Sequence, residues 1–240
     1  MSPTTIPGNL LLKNGMVITG REAGPADPYI GNVSLLLHGD GANGSTTIVD
    51  SSPSPKTVTP VGNAQISTAQ SKFGGSSIAF DGNGDFLQSS ANTDFEFGTG
   101  QFTVEAWVYF SVVSNVNEFI TVATDSINGR WTLYYNGGTF FTGATGGAGG
   151  TTCSFTPQAN TWYHIAVSRD NSNNQRIFIG GDLKANAVST NNYTQSGLRV
   201  GRSVAGTTYL TGYIDDLRIT KGVARYTANF TPPTAPFPDI

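Results

Sequence analysis

Hydrolysis of a glycosidic bond needs two carboxylates flanking it, about 5–5.5 Å apart for retention or about 6.5–9.5 Å for inversion. The chain offers few. Of its four Glu residues, Glu105 stands alone in the longest strand-like run, Phe102 to Phe110, and Glu96 and Glu118 fall outside that run. Asp215 and Asp216 are adjacent, so on a regular strand their side chains point to opposite faces. Ser and Thr are plentiful, but the chain has only two His, His38 and His164, to serve as bases. His164 sits in a strand pattern between Tyr163 and Ile165, where packing is the expected role. No catalysis is therefore expected. Sugar binding asks for flat aromatic faces beside hydroxyl-binding loops, and Trp107, Tyr109, Trp131, Tyr134 and Trp162 are the aromatics in question. Trp131 and Tyr135 lie next to loops and are expected to be the carbohydrate contacts.

The elements that must position these residues are strands. Charged residues make up 12% of the 240 residues, about half the usual share. Gly and Thr number 30 each, against four Glu and five Lys. The residues of surface helices are nearly missing, while β-branched and turn residues abound. Short apolar runs recur at Val33–Leu37, Ser76–Phe80, Phe102–Phe110, Phe119–Ala123, Trp131–Tyr135, Thr139–Thr142, Thr161–Arg169, Arg176–Ile179, Gly197–Val200 and Thr211–Thr220. Turn residues such as Asp81-Gly-Asn-Gly84 and Asp170-Asn-Ser-Asn-Asn174 separate them. In Phe102–Phe110 the apolar face is Phe102, Val104, Ala106, Val108 and Phe110; Thr103, Glu105, Trp107 and Tyr109 take the other. This pattern predicts an all-β, two-sheet antiparallel sandwich. Residues 1–32 read as an extended N-terminal arm, with apolar pieces at Leu10–Leu12 and Met16–Ile18, and residues 232–240 as a Pro-rich tail. The net charge of −3 has no Lys or Arg run, which argues against nucleic acid and anionic membranes as partners. One Cys, Cys153, excludes an internal disulfide.

Four segments carry a family resemblance: Ser77-Ile-Ala-Phe-Asp-Gly-Asn-Gly-Asp-Phe-Leu87, Phe102-Thr-Val-Glu-Ala-Trp-Val108, Trp162-Tyr-His-Ile-Ala-Val-Ser-Arg169 and Gly212-Tyr-Ile-Asp-Asp-Leu-Arg-Ile219. In this order they resemble a laminin-G-like, concanavalin A-like jelly roll spanning residues 33–231. The resemblance implies that Trp107 and Trp162, inside these segments, are core. It also implies one structural Ca2+, held by an Asp at the start of the last strand, the place Asp215 occupies. The turns around Asp40 and Asp81 are expected to complete that metal site. The closing segment, Thr220 to Phe230 with Pro232 and Pro233, is similar to the ends of such domains in tailed-phage virion proteins. The absence of a basic-then-apolar leader agrees with assembly in a host cytoplasm. The expected function is a non-enzymatic virion component that decorates or cements a capsid, homo-oligomeric, joined to other virion proteins through the arm. The alternatives are a tail or fibre lectin module binding host surface glycans, a bacterial adhesin domain, and a degenerate glycosidase.

Overall fold

A computed structural model describes residues 9–11, 17–19, 26–113, 116–124, 128–144 and 150–239. In the N-terminal segment, β1 (Asn9–Leu11) pairs antiparallel with β2 (Val17–Thr19), Leu10 opposite Ile18. Leu12 and Met16 of the expected arm lie outside the described residues. No helix among the described residues is long and apolar enough to cross a membrane.

The body consists of two antiparallel sheets. One is built from β4 (Thr59–Val61), β7 (Phe86–Ser89), β9 (Asn117–Val122), β10 (Trp131–Asn136), β11 (Thr139–Gly143), β12 (Thr151–Ser154) and β16 (Leu198–Val200), in the order β12-β11-β10-β9-β16-β7-β4. The other contains β5 (Gln65–Ser67), β6 (Ser77–Asp81), β8 (Phe102–Phe110), β13 (Thr161–Arg169), β14 (Asn174–Ile179), β15 (Asp182–Val188) and β17 (Thr211–Lys221), in the order β15-β14-β13-β8-β17-β6-β5. β3 (Val33–Leu37) pairs with the far half of β17. The core lies between the sheets. The apolar face of β8 meets Phe119, Ile120, Val122, Trp131, Leu133, Tyr135 and Phe140 from the opposite sheet. Chains of edge-to-face rings, such as Phe110 with Phe119 at 5.5 Å and 90°, fill it.

β8 is buried along its whole length, the polar face included. Residues 222–239 explain why: they cross the outer face of the β8 sheet. The Thr103 hydroxyl donates to the Val223 carbonyl and accepts from the Arg225 amide. Ser168 donates to the Tyr226 carbonyl, and the Phe237 amide donates to Asp216. Tyr226 and Phe230 stack at 3.6 Å, and Phe230 also covers Phe178 and His164. Phe237, in the segment read as a Pro-rich tail, is 4% exposed and lies 3.7 Å from the Arg218 guanidinium.

Beneath this cover sits a charged cluster. Glu105 accepts from Arg218 Nε and Nη2 at 3.0 and 2.8 Å and from the Tyr226 hydroxyl at 2.8 Å. Arg218 and Arg225 both donate to Asp27, at 3.0 Å and at 2.7–2.9 Å. The segment from Ala26 to Asn32, read as the end of the arm, is thus tied to the body. Burial alone would raise the Glu105 carboxyl; Arg218, His164 and Arg225 outweigh it and bring it down to about 2.

A register shift in β17 makes this cluster possible. Asp215 stands opposite Trp107, but Arg218 stands opposite Glu105, so Asp216 and Leu217 together oppose Ala106. Asp216 takes the left-handed conformation, φ 48°, at this bulge. Asp215 and Arg218, three residues apart, therefore both lie on the outer face. The expectation that Asp215 and Asp216 point to opposite faces is corrected for the same reason: the bulge breaks the alternation, and Asp216 reaches the Phe237 amide on the covered side.

Glu105 has a folded pKa below its usual 4.5, so its stabilising effect is full above pH 4.5 and lost as pH falls toward 2. Melting temperature should drop across that window. Glu105→Gln should flatten the drop and cost about 3–5 kcal/mol at neutral pH, because it leaves buried guanidinium without its partner. Parallel acid titrations of both proteins, followed by thermal melts, check this.

Candidate functional site

The tail does not cover the whole outer face. The strands of the β8 sheet carry cross-strand rows, and the row nearest its open end stays clear of the tail contacts. There, Trp162 on β13 pairs with Tyr109 on β8, Tyr109 with Tyr213 on β17, Tyr213 with Ala79 on β6, and Ala79 with Gln65 on β5. The Trp162 and Tyr109 rings lie 5.4 Å apart, and those of Tyr109 and Tyr213 5.6 Å apart. Trp162 and Tyr213 are half-buried, and Tyr109 between them is 8% exposed. Gly212 lets β17 close on β8 here: a Cβ at that position would fall 2.0 Å from the Tyr109 carbonyl oxygen.

Tyr213 forms one wall of a cavity of about 490 Å³, lined by Asn63, Gln65, Asp81, Asp85 and Thr211 among others. The β6–β7 turn brings Asp81 and Asp85 together. Asp85 accepts the Asp81 amide at 2.9 Å and the Asn63 amide at 2.5 Å. Asp81 accepts the Asn63 side-chain amide at 3.1 Å and the Asn83 amide at 2.7 Å. Burial opposes the charge on Asp81, but the hydrogen bonds from Asn63 and Asn83 hold its carboxyl below the usual range. Burial pushes Asp85 up, and the charge of Asp81 adds to that. Asp85 is 1% exposed and its oxygens are taken by the Asp81 and Asn63 backbone amides. With Asp81 exposed and Asp85 buried on backbone amides, the two do not flank a space that holds a glycosidic bond. Partly exposed rings next to convergent amides, hydroxyls and a carboxylate form a surface able to stack a sugar ring and bind its hydroxyls.

Trp131 and Tyr135, expected as the carbohydrate contacts, are 0% and 2% exposed. Both face the core: Trp131 meets Phe97 and Phe102 edge-on, and Tyr135 packs against Phe110 and Phe140. Alternation on β10 decides this, because residues 131, 133 and 135 share the inward face. Trp107 is buried as expected, at 8% exposure, whereas the core role expected of Trp162 is corrected, since it is only half-buried. Neither lies between the sheets. Trp107 is covered on the outer face by Phe73 and by the Lys72 ammonium, 3.8 Å from its ring centroid. The signal was the aromatic content of the polar face of Phe102–Phe110.

The expected metal ligands are divided. Asp215 Oδ2 accepts the Lys72 and Phe73 amides at 2.7 and 3.0 Å, while its Oδ1 is buried with no hydrogen-bond partner. Burial, then the charges of Asp216 and Asp40, push the Asp215 carboxyl up to about 7. Asp40 overlies the same turn: a Cβ at Gly74 would fall 1.9 Å from its Oδ1. An unpaired buried oxygen near a second carboxylate suits a hard cation. Asp81 does not join them, since it belongs to the Asn63–Asp85 turn. No group of three or more His, Cys, Asp or Glu among the described residues is placed to hold a metal.

Residues 81–225 match the laminin G-like family model described as the concanavalin A-like lectin/glucanases superfamily. No curated protein matches the sequence. Similar solved structures include botulinum neurotoxin type C, whose cell entry depends on interaction with two ganglioside molecules. It shows a TM-score of 0.60 and 13% identity, over 81% of this chain and 49% of its own. The serotype D binding domain gives 0.61 and 15%, over 82% and 50%. The serotype D ligand-binding domain in complex with N-acetylneuraminic acid gives 0.60 and 16%, over 82% and 49%. The chain spans about half the length of each, and the likeness is one of fold.

The two tryptophans should separate in a stability measurement. Trp131→Ala should cost about 3–5 kcal/mol in urea unfolding, as a large buried ring removed from a core does. Trp162→Ala, on the open row, should cost well under half as much.

Proposed function

The chain belongs to the concanavalin A-like lectin/glucanase superfamily, and on that footing we propose that it is a non-enzymatic glycan-binding module. Its platform is the Trp162–Tyr109–Tyr213 row with the polar cavity beside Tyr213. The observation that carries the reading is the aromatic row, half-buried at Trp162 and Tyr213, on a sheet face whose neighbouring rows are covered by the tail and by Lys72 and Phe73. Two points support it further. Asp85 is buried and bonded to two backbone amides rather than turned toward a bound sugar, and similarly folded neurotoxin domains bind gangliosides or N-acetylneuraminic acid.

The resemblance of the closing segment to virion proteins supports a virion surface as the setting. A sugar platform favours the tail or fibre version, in which host glycans are the partner, over simple capsid cement. The antiparallel pairing of Asn9–Leu11 with Val17–Thr19 suits strand addition to a neighbouring chain, another virion protein or a second copy. A structural Ca2+ belongs to this proposal, with Asp215 Oδ1 and Asp40 as its carboxylate ligands and backbone carbonyls as the remainder.

Binding of the purified chain to a glycan array tests the platform. Trp162→Ala and Tyr213→Ala should each weaken the strongest array interactions by about tenfold or more, with melting temperatures close to the parent's. Binding untouched by both substitutions overturns the assignment. For the cation, chelator should lower the melting temperature of calcium-loaded protein, and Asp215→Asn should abolish that difference, because a ligand bound only to the folded state stabilises it. Identical melts with and without chelator refute the calcium.

A further inference from the structure

We infer that the cavity beside Tyr213 selects neutral, hydroxyl-rich sugars and turns away sialylated and uronic-acid-bearing ones; this rests on the glycan-binding reading above. Charge on the cavity wall carries the argument. The lining comprises Asn63, Gln65, Ser111 and Thr211, the carboxyl pair Asp81 and Asp85, and the apolar Ala79, Phe80 and Tyr213. Among the described residues it contains two acids and no Lys, Arg or His. The cations nearby on the chain are engaged elsewhere. Lys72 sits over Trp107, and the Arg202 guanidinium lies 4.5 Å from the Phe86 ring centroid.

A sugar carboxylate is recognised by paired donors, usually an Arg fork, or by a fixed cation. This wall has neither. An anionic sugar placed against Tyr213 would face the exposed Asp81 carboxylate, a like charge at close range. A neutral sugar meets the opposite situation. Its hydroxyls donate to Asp81, whose position is fixed by the Asn63 side chain and the Asn83 amide. Its oxygens accept from the remaining amides and from Ser111 and Thr211, while its apolar face lies on Tyr213. The similarly folded serotype D domain binds N-acetylneuraminic acid; this wall gives the present chain a different selectivity.

The experiment is an array of neutral glycans printed beside their sialylated and uronic-acid-bearing counterparts, followed by calorimetric titration of the strongest pair against the full chain. Neutral glycans should bind at least about tenfold more tightly than their anionic counterparts at low salt. The gap should narrow in raised salt, which screens an exposed carboxylate, and in Asp81→Asn, which keeps the side chain's shape and removes its charge. Raised salt needs no variant, so the inference stays testable if the substitution disturbs folding. Anionic glycans binding as well or better, with Tyr213→Ala abolishing the signal, overturn the inference and leave the glycan platform intact. A neutral preference that neither salt nor Asp81→Asn changes overturns it too, because charge is then not the cause. No array signal that depends on Trp162 or Tyr213 overturns the platform itself, and the selectivity with it.

Discussion

A carboxylate without water is the constraint on which the rest of this structure depends. Glu105 occupies the middle of the central strand β8 and is 1% exposed. An ion there is tolerable only with an opposite charge at contact distance and its lone pairs filled. Arg218 supplies the charge, Tyr226 a hydroxyl, and Asp27 balances the two guanidinium groups that the cluster brings in. Each comes from a different stretch of chain. The segment before β3, the last strand and the tail are all fixed by one buried charge, and the bulge at Asp216 exists where β17 must turn Arg218 toward it.

The same requirement divides the outer face of the β8 sheet. Wherever the tail must lie to keep water from Glu105, the surface is closed to any ligand. The row clear of the tail carries three aromatic residues, Trp162, Tyr109 and Tyr213. A sheet whose two faces were both core would be expected to end in aliphatic side chains at its margin. Here the margin carries Trp162 and Tyr213, only partly buried, next to polar turns. Structural sealing and the proposed recognition surface thus share one sheet face and are separated by a single cross-strand step, from the row of Trp107 to the row of Tyr109.

Much of the fold was legible in the sequence because a strand reports its own alternation. Phe102–Phe110 reads correctly as one apolar and one mixed face, and the strand from Thr161 to Arg169 was found at its observed bounds. The candidate site was legible only in part. Trp131 and Tyr135 were chosen for nearness to loops, yet the parity of β10 turns both inward. What could not be read locally was the cover: a Pro-rich end looks like an exit from the domain, and only a three-dimensional arrangement shows Phe237 resting on Arg218. The bulge at Asp216 was hidden for a similar reason, since Asp in the left-handed region leaves no trace in hydrophobic periodicity. The closeness of Asp40 to the Asp215 turn has no local signature, and Asp81, of the same residue type, lies in another turn.

The strand order has a consequence for how the molecule comes into being. β8, in the middle of its sheet, is flanked by β13 and by β17, whose Arg218 is separated from Glu105 by more than a hundred residues of chain. During synthesis, β8 leaves the ribosome long before either neighbour exists. Its aromatic and apolar side chains have no sheet to join, and its carboxylate has no guanidinium. Non-local pairings of this kind make folding slow and leave strand edges exposed in the meantime. The β8 sheet therefore cannot be completed until the last strand and closing segment have been made, and a chain halted before residue 218 lacks the guanidinium that Glu105 requires.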